Sequence, residues 1–139
     1  MNIMPKNRAA MHLLILPALI LAGCGGATPV AGGTKGVLHA GDELLGDIQI
    51  TVHAKDGTAW KPLGFGVTAF DGSFKLVTSG AKGPLWLSPG EYRCTLESAG
   101  APVAIPVELT QADTTPLKIT RSAESTALDV RAPKLLPQK

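Results

Sequence analysis

The chain contains few of the residue types from which most enzyme and nucleic-acid sites are built. Its 139 residues include two cysteines, two tryptophans, one tyrosine and three phenylalanines, and residues 8–139 contain no asparagine. The one strongly apolar run, Met11–Leu21, is too short for a transmembrane helix, which needs about 20 residues. These shortages exclude a disulfide-rich scaffold and argue against an aromatic-rich binding surface.

A basic surface is also missing once the N-terminus is set aside. The chain has 13 Lys and Arg against 11 Asp and Glu, and two of the basic residues, Lys6 and Arg8, lie within residues 1–23, where no acidic residue occurs. The remainder therefore carries 11 charges of each sign. Without a basic stripe there is no electrostatic footprint for a phosphate backbone, and we expect no nucleic-acid partner.

Residues 1–23 have the three parts of a secretory signal peptide. A positive segment with Lys6 and Arg8 precedes the apolar run, and small residues, Ala22 and Gly23, follow it. An ordinary signal peptide, in which the next residue Cys24 is incidental, is one interpretation.

The segment Leu21-Ala22-Gly23-Cys24 resembles the bacterial lipoprotein signal, which is cleaved before the cysteine. The resemblance implies lipidation of Cys24 and a membrane partner reached through several acyl chains, since one chain binds only marginally. The residue after the cysteine is Gly25 rather than Asp, which favours the outer over the inner membrane of the cell envelope.

Short period-two alternations fill the rest of the chain, and no segment has a convincing helical period. In 47–53, for example, Ile48, Ile50 and Val52 point one way and polar residues the other. Similar runs predict strands at 36–38, 65–70, 73–76, 91–97, 103–109, 117–120 and 128–131. With frequent Gly and Pro between them, the pattern predicts an all-β, seven- or eight-stranded Greek-key β-sandwich.

Turn residues suggest how neighbouring strands connect. Asp71-Gly72 between two alternating runs predicts a type I′ hairpin. Pro106 predicts an edge strand or a bulge in 103–109, because proline cannot donate to a ladder. The segment 122–125 is a candidate turn for a final hairpin.

The predicted organisation has four parts. Residues 1–23 form the lipoprotein signal peptide, 24–34 the lipidated cysteine and a flexible tether, 35–131 the β-sandwich domain and 132–139 a loose tail. The tether is rich in Gly and small residues, which is typical of a flexible linker.

The stretch Lys35–Glu97 resembles the carboxypeptidase regulatory-like domain, a transthyretin-like (prealbumin-like) β-sandwich. Residues 68–74, Thr-Ala-Phe-Asp-Gly-Ser-Phe, match the family pattern T-x-x-D-G-x-F, and 89–92, Pro-Gly-Glu-Tyr, match P-G-x-Y. Gly36-Val37-Leu38 and the strand at 47–52 match the opening of the family more loosely. These motifs are turns, so the resemblance implies a fold rather than a chemistry.

Two activities known on related folds do not fit this sequence. Transthyretin-related hydrolases use a C-terminal Tyr-Arg-Gly-Ser, whereas the one Tyr-Arg here, 92–93, continues with Cys-Thr inside a predicted strand. An intramolecular isopeptide bond needs a buried acid, and alternation places its best candidate, Glu97, on the polar face of its strand. We therefore expect no enzyme, no catalytic residue and no cofactor.

The remaining reactive residues are expected to have ordinary roles. His39 and His53 have no accompanying ligand spacing, so no metal site is predicted. The short acidic cluster at 42–47 is expected to be solvated rather than to bind calcium. Cys94 shares the apolar face of its strand with Tyr92, which predicts a buried, inert thiol.

Trp60 and Trp86 both fall in predicted loops. Exposed loop tryptophans stack on sugars or bind a partner, whereas half-buried ones close the ends of a small core. The sequence therefore predicts a non-enzymatic, lipid-anchored cell-envelope module with a structural or partner-binding role. The alternative is a carbohydrate- or peptidoglycan-binding module that uses these loop tryptophans.

Overall fold

The computed structural model describes residues 30–139, which form an all-β fold, as the alternation predicted. The signal peptide, Cys24 and the first part of the predicted tether lie outside the described residues. The strands are β1 Lys35–Ala40, β2 Glu43–Leu44, β3 Ile48–Asp56, β4 Ala59–Val67, β5 Ser73–Lys75, β6 Val77–Thr78, β7 Gly90–Ser98, β8 Val103–Ala104, β9 Lys118–Arg121, β10 Ala127–Ala132 and β11 Leu136–Pro137, with one 3-10 helix at Val107–Thr110.

Strand β1 is the centre of the first sheet, sheet A. It pairs in parallel with β10 along its whole length, from Lys35 opposite Ala127 to Ala40 opposite Ala132. Its other edge pairs antiparallel with β5 and β2. The first strand of the domain is therefore held beside the last long one, which closes the fold across the whole described chain.

Sheet B is a five-stranded antiparallel sheet in the order β6-β4-β3-β7-β9. A tight hairpin joins β3 to β4 through Gly57, whose φ of 64° lies in the left-handed region that glycine tolerates best. The pairing of these two strands shifts register between Val52 and His53, which is a β-bulge.

The two sheets bury their apolar faces in one core. Sheet A contributes Leu38 and Val130, and sheet B contributes Ile50, Val52 and Leu96. Each such side chain stabilises the fold by about 1.5–3 kcal/mol when it is removed from water. Burial follows the predicted alternation in β3 and at Tyr92, Cys94 and Leu96 in β7.

The predicted hairpin at Asp71-Gly72 forms in part, but it is split and its turn type is wrong. Gly64 and Phe65 of β4 pair antiparallel with Thr78 and Val77 of β6, whereas β5, between the turn and β6, pairs with β1 in sheet A. The turn is tight, with the N–H groups of Gly72 and Ala69 donating to the carbonyls of Ala69 and Ser73. Only Gly72 has a positive φ, 78°, so the turn is not type I′, which requires positive φ at Asp71 as well.

The C-terminal third also departs from the predictions. The expected strand 103–109 ends at Ala104, and Pro106 precedes the 3-10 helix because its fixed φ suits a helix start and it has no N–H to offer a ladder. The expected final hairpin does not form, since β9 joins sheet B and β10 joins sheet A.

The last residues belong to the packed domain and are not the loose tail that was expected. Ala132 ends β10, Leu135 is buried in the core, and β11 pairs with β8. Within residues 30–139, no helix has the length and apolarity needed to cross a membrane.

Candidate functional site

The chain enters the packed domain at Thr34, beside the loop that precedes β7. The Thr34 N–H donates to the Leu85 carbonyl at 2.8 Å, and the Leu87 N–H donates to the Thr34 hydroxyl at 2.9 Å. Gly33 is buried against the Leu76 carbonyl, in a space with no room for a side chain. We call this part of the domain, Gly32–Lys35 with Pro84–Leu87, the entry end. Gly33 and Thr34, the last two residues of the predicted tether, are therefore packed in the domain.

Trp86 lies at the entry end and is 66% exposed. Its neighbours Leu85 and Leu87 pack against or within the core, and the alternation turns the indole outward. Ring atom Cζ2 lies 3.2 Å from where a Cβ on Gly32 would stand, so the indole touches the entering chain. Of the two roles weighed for this loop tryptophan, the structure favours a surface contact over closure of the core.

Trp60 was expected in a loop, but it lies in strand β4. The β3–β4 turn is short and the strand resumes at Ala59, which places Trp60 on the outer face of sheet B opposite Lys55. The Arg93 guanidinium lies 4.3 Å from the centroid of the indole, and the Lys55 ammonium lies 6.0 Å from it. A cavity of about 100 Å³ opens beside this stack and is lined by Trp60, Glu91, Tyr92, Arg93, Lys118, Ile119 and Thr120.

The structure does not bring the two tryptophans into one site. Among the described residues, 30–139, Trp86 is not one of those that line the cavity beside Trp60. Trp60 is half-buried and carries a guanidinium over its ring, so it is less free to stack on a sugar than an exposed tryptophan. Only Trp86 of the pair offers an open ring.

The opposite end of the sandwich displays Phe70, whose exposed fraction is 91%. We call this part, Gly41–Asp47 with Ala69–Gly72, the far end. Leu44, 46% exposed, lies beside the same turn and meets the Cβ position of Gly72 at 3.3 Å. A fully solvated phenylalanine next to a half-exposed leucine is an apolar contact point at the tip of the domain.

The turn that carries Phe70 is fixed by its neighbours. The Asp71 carboxylate accepts hydrogen bonds from the Ser73 N–H at 3.0 Å and from the Ser73 hydroxyl at 2.6 Å. These bonds favour the ionised form, so the pKa of Asp71 lies below its ordinary value. Gly46 packs against the Phe70 backbone, where an added Cβ would stand 2.6 Å from Cα. Phe70 is thus presented on a rigid support.

Sequence reasoning missed Phe70 because it was counted as the end of a strand. The signal that could have found it is its position immediately before Asp71-Gly72, where a residue occupies the tip of a turn rather than a sheet face.

His53 is half-buried on the outer face of sheet B. Its Nε2 lies 2.9 Å from the hydroxyl of the buried Thr95, and its Nδ1 is buried with no hydrogen-bond partner among the described residues. Burial lowers the pKa of the imidazole. His39, on sheet A, lies 3.6 Å from the Asp129 carboxylate.

Cys94 is fully buried, which confirms the predicted location of its thiol. Desolvation raises the thiol pKa to about 12, so the nucleophilic thiolate is suppressed near neutral pH. Glu97 is exposed on its strand. In the described part of the chain, no three His, Cys, Asp or Glu side chains are grouped as metal ligands.

Comparison of this chain with protein-family models, with curated proteins and with solved structures gives no match.

Proposed function

We propose that the protein is a non-enzymatic, lipid-anchored module of the bacterial cell envelope whose β-sandwich binds a protein partner through the far end. The observation that carries the partner-binding role is Phe70, 91% exposed on a rigid turn. An exposed phenylalanine contributes nothing to the stability of the isolated domain. Burying the same side chain against a partner would stabilise the complex.

The anchor is supported by the sequence Leu-Ala-Gly-Cys at 21–24, directly after an apolar run. Placement on the outer membrane is supported by Gly25. The arrangement of the domain fits such an anchor. The chain enters at one end, and Phe70 lies at the other end, away from the proposed membrane. Membership of the carboxypeptidase regulatory-like family, with transthyretin-like Greek-key connections, is part of the same proposal and is supported by the turn motifs at 68–74 and 89–92.

The non-enzymatic role is supported by the low reactivity of Cys94, the one cysteine among the described residues. Cys94 is buried and its pKa is about 12, which makes it a poor nucleophile. The hydroxyl of Tyr92, on the same strand, donates to the Ser88 carbonyl at 2.5 Å.

Two measurements test the proposal. Intact mass and detergent-phase partition of the cell-derived protein, compared with Cys24→Ala, should show cleavage before residue 24 and acyl chains that the variant lacks. A photo-cross-linking residue at position 70 should then capture a discrete envelope protein in cells. The same residue at Lys61, exposed in β4, is the matched control. A water-soluble, unmodified wild type would refute the anchor, and equal capture at both positions would refute the far-end site.

A carbohydrate- or peptidoglycan-binding role is the second candidate, favoured by the exposed Trp86. It requires glycan binding that Trp86→Ala abolishes and Trp60→Phe leaves intact, since only the former ring is open. No binding to purified peptidoglycan fragments at millimolar concentration would remove this candidate.

A further inference from the structure

We propose that the entry end lies directly on the phospholipid surface that holds the anchor, with Trp86 in the headgroup region and Lys35 and Lys75 against anionic headgroups. The inference rests on the proposed lipidation of Cys24 and adds a second, direct contact between the folded domain and the bilayer.

The first argument is the number of residues between the proposed anchor and the domain. Gly32, where the indole of Trp86 already touches the chain, lies eight residues beyond Cys24. A fully extended chain of that length reaches at most about 29 Å, and a flexible one averages roughly 16 Å. A domain anchored this way keeps its entry end at the membrane.

The second argument is the chemistry of Trp86. Tryptophan favours the interface between water and lipid, because its ring is apolar while its N–H needs a polar partner. The indole is 66% exposed, yet its backbone is fixed, since the Thr34 hydroxyl and N–H bond to Leu87 and Leu85. The ring is therefore held outward beside the entering chain and pays little ordering entropy on contact.

The third argument is an unfavourable pair of lysines. Lys35 and Lys75 are direct cross-strand neighbours in sheet A, where like charges destabilise a sheet. Both are exposed, and no carboxylate of the described chain lies within salt-bridge distance of either. Asp129, on the same face, is bonded instead to Arg131 at 2.9 Å. Such a pair becomes favourable beside an anionic surface.

The lysines and the tryptophan lie close enough to act together. Lys35 follows Gly32 by three residues, about 10 Å of extended chain. The two lysines flank an open groove of about 560 Å³. Two neighbouring ammonium groups suit the phosphate of a lipid headgroup.

The test uses the lipidated protein, purified from cells, checked by intact mass and reconstituted into phosphatidylcholine vesicles with or without phosphatidylglycerol. Bromine on the upper acyl chain of the lipids quenches nearby indoles. Trp60→Phe leaves Trp86 as the single tryptophan. The control combines Trp60→Phe, Trp86→Phe and Phe70→Trp, which puts the single indole at the far end. We expect strong quenching of Trp86 and none at position 70.

Lys35→Gln with Lys75→Gln should lower the ratio of docked to free domains by about 30-fold in phosphatidylglycerol vesicles, as expected for two lysines at an anionic surface. The control pair Lys118→Gln and Lys134→Gln removes the same charge elsewhere and should preserve quenching.

A lipidated protein with equal quenching at positions 86 and 70 would overturn this inference alone. Quenching insensitive to Lys35 and Lys75 would overturn their role, and a protein without acyl chains would overturn the anchor and this contact together.

Discussion

The Arg93 guanidinium stacks over Trp60 at 4.3 Å and also reaches across the edge of sheet B. Its Nη1 donates to the carbonyls of Ala112 and Asp113 at 3.0 and 3.2 Å. One side chain thus joins β4, β7 and the loop that follows the 3-10 helix. Lysine could not reproduce this arrangement, because it lacks a planar group that stacks and donates at the same time.

We predict that Arg93→Ala lowers the free energy of unfolding by about 1–3 kcal/mol, since it removes the stack and the hydrogen bonds. In a double-mutant cycle with Trp60→Ala, the coupling energy should be about 0.5–2 kcal/mol. Urea unfolding of the four proteins measures both quantities. Arg131→Ala, at an exposed pair, is the control and should change stability by less than about 0.5 kcal/mol. Additive effects of the two changes would contradict the stack.

Phe70 and the turn that supports it should contribute differently to the stability of the fold. Phe70→Ala should leave the free energy of unfolding within about 0.5 kcal/mol of wild type, because the ring contacts mostly water. Gly46→Ala should cost about 1–3 kcal/mol, since its Cβ would stand 2.6 Å from the Phe70 Cα. Gly83→Ala, with open space around its Cβ, is the matched control and should be neutral or slightly stabilising. Chemical denaturation measures all three.

Alternation in the sequence was a reliable guide where one face of a strand is buried and the other solvated. Ile48, Ile50 and Val52 are buried as predicted because a half-buried sheet imposes the period of two. Thr95 breaks the rule in β7, since it lies on the polar parity but is buried beside His53. Periodicity reports which way a side chain points and not what lies above it.

Partner choice between strands could not be predicted, because it depends on contacts distant in sequence. Asp71-Gly72 carries a local hairpin signal, and β4 does pair with β6 beyond the turn. The residues of β5 between them pair instead with β1, which begins beside Thr34, and this distant pairing has no local signal. Trp60 was placed in a loop because the turn is shorter than expected: only two residues separate β3 from β4, which begins at Ala59. The exposure of Phe70 was not predicted, because exposure depends on the tertiary structure around a residue.

Cys94 should resist thiol reagents in the native state. In Cys24→Ala it is the single thiol of the chain, and its burial and its pKa of about 12 suppress the thiolate. Iodoacetamide at pH 8 should therefore label the protein only after urea unfolding, as followed by intact mass. Cys94→Ser should cost about 1–3 kcal/mol, because it buries a hydroxyl in the apolar core. Rapid labelling of the folded protein would show that the thiol is accessible.

His53 should make the fold acid-sensitive. Burial lowers its pKa in the folded state below the ordinary value of 6.5, so the folded state prefers the neutral ring. The unfolded chain then binds the proton first as pH falls, and stability present above pH 6.5 is lost below it, with a slope of at most about 1.4 kcal/mol per pH unit from this group. His53→Gln should flatten the dependence of urea midpoints between pH 7.5 and 5.5, whereas Thr120→Gln, exposed on the same sheet, should retain it. Identical slopes for wild type and His53→Gln would mean that the buried imidazole keeps an ordinary affinity for protons.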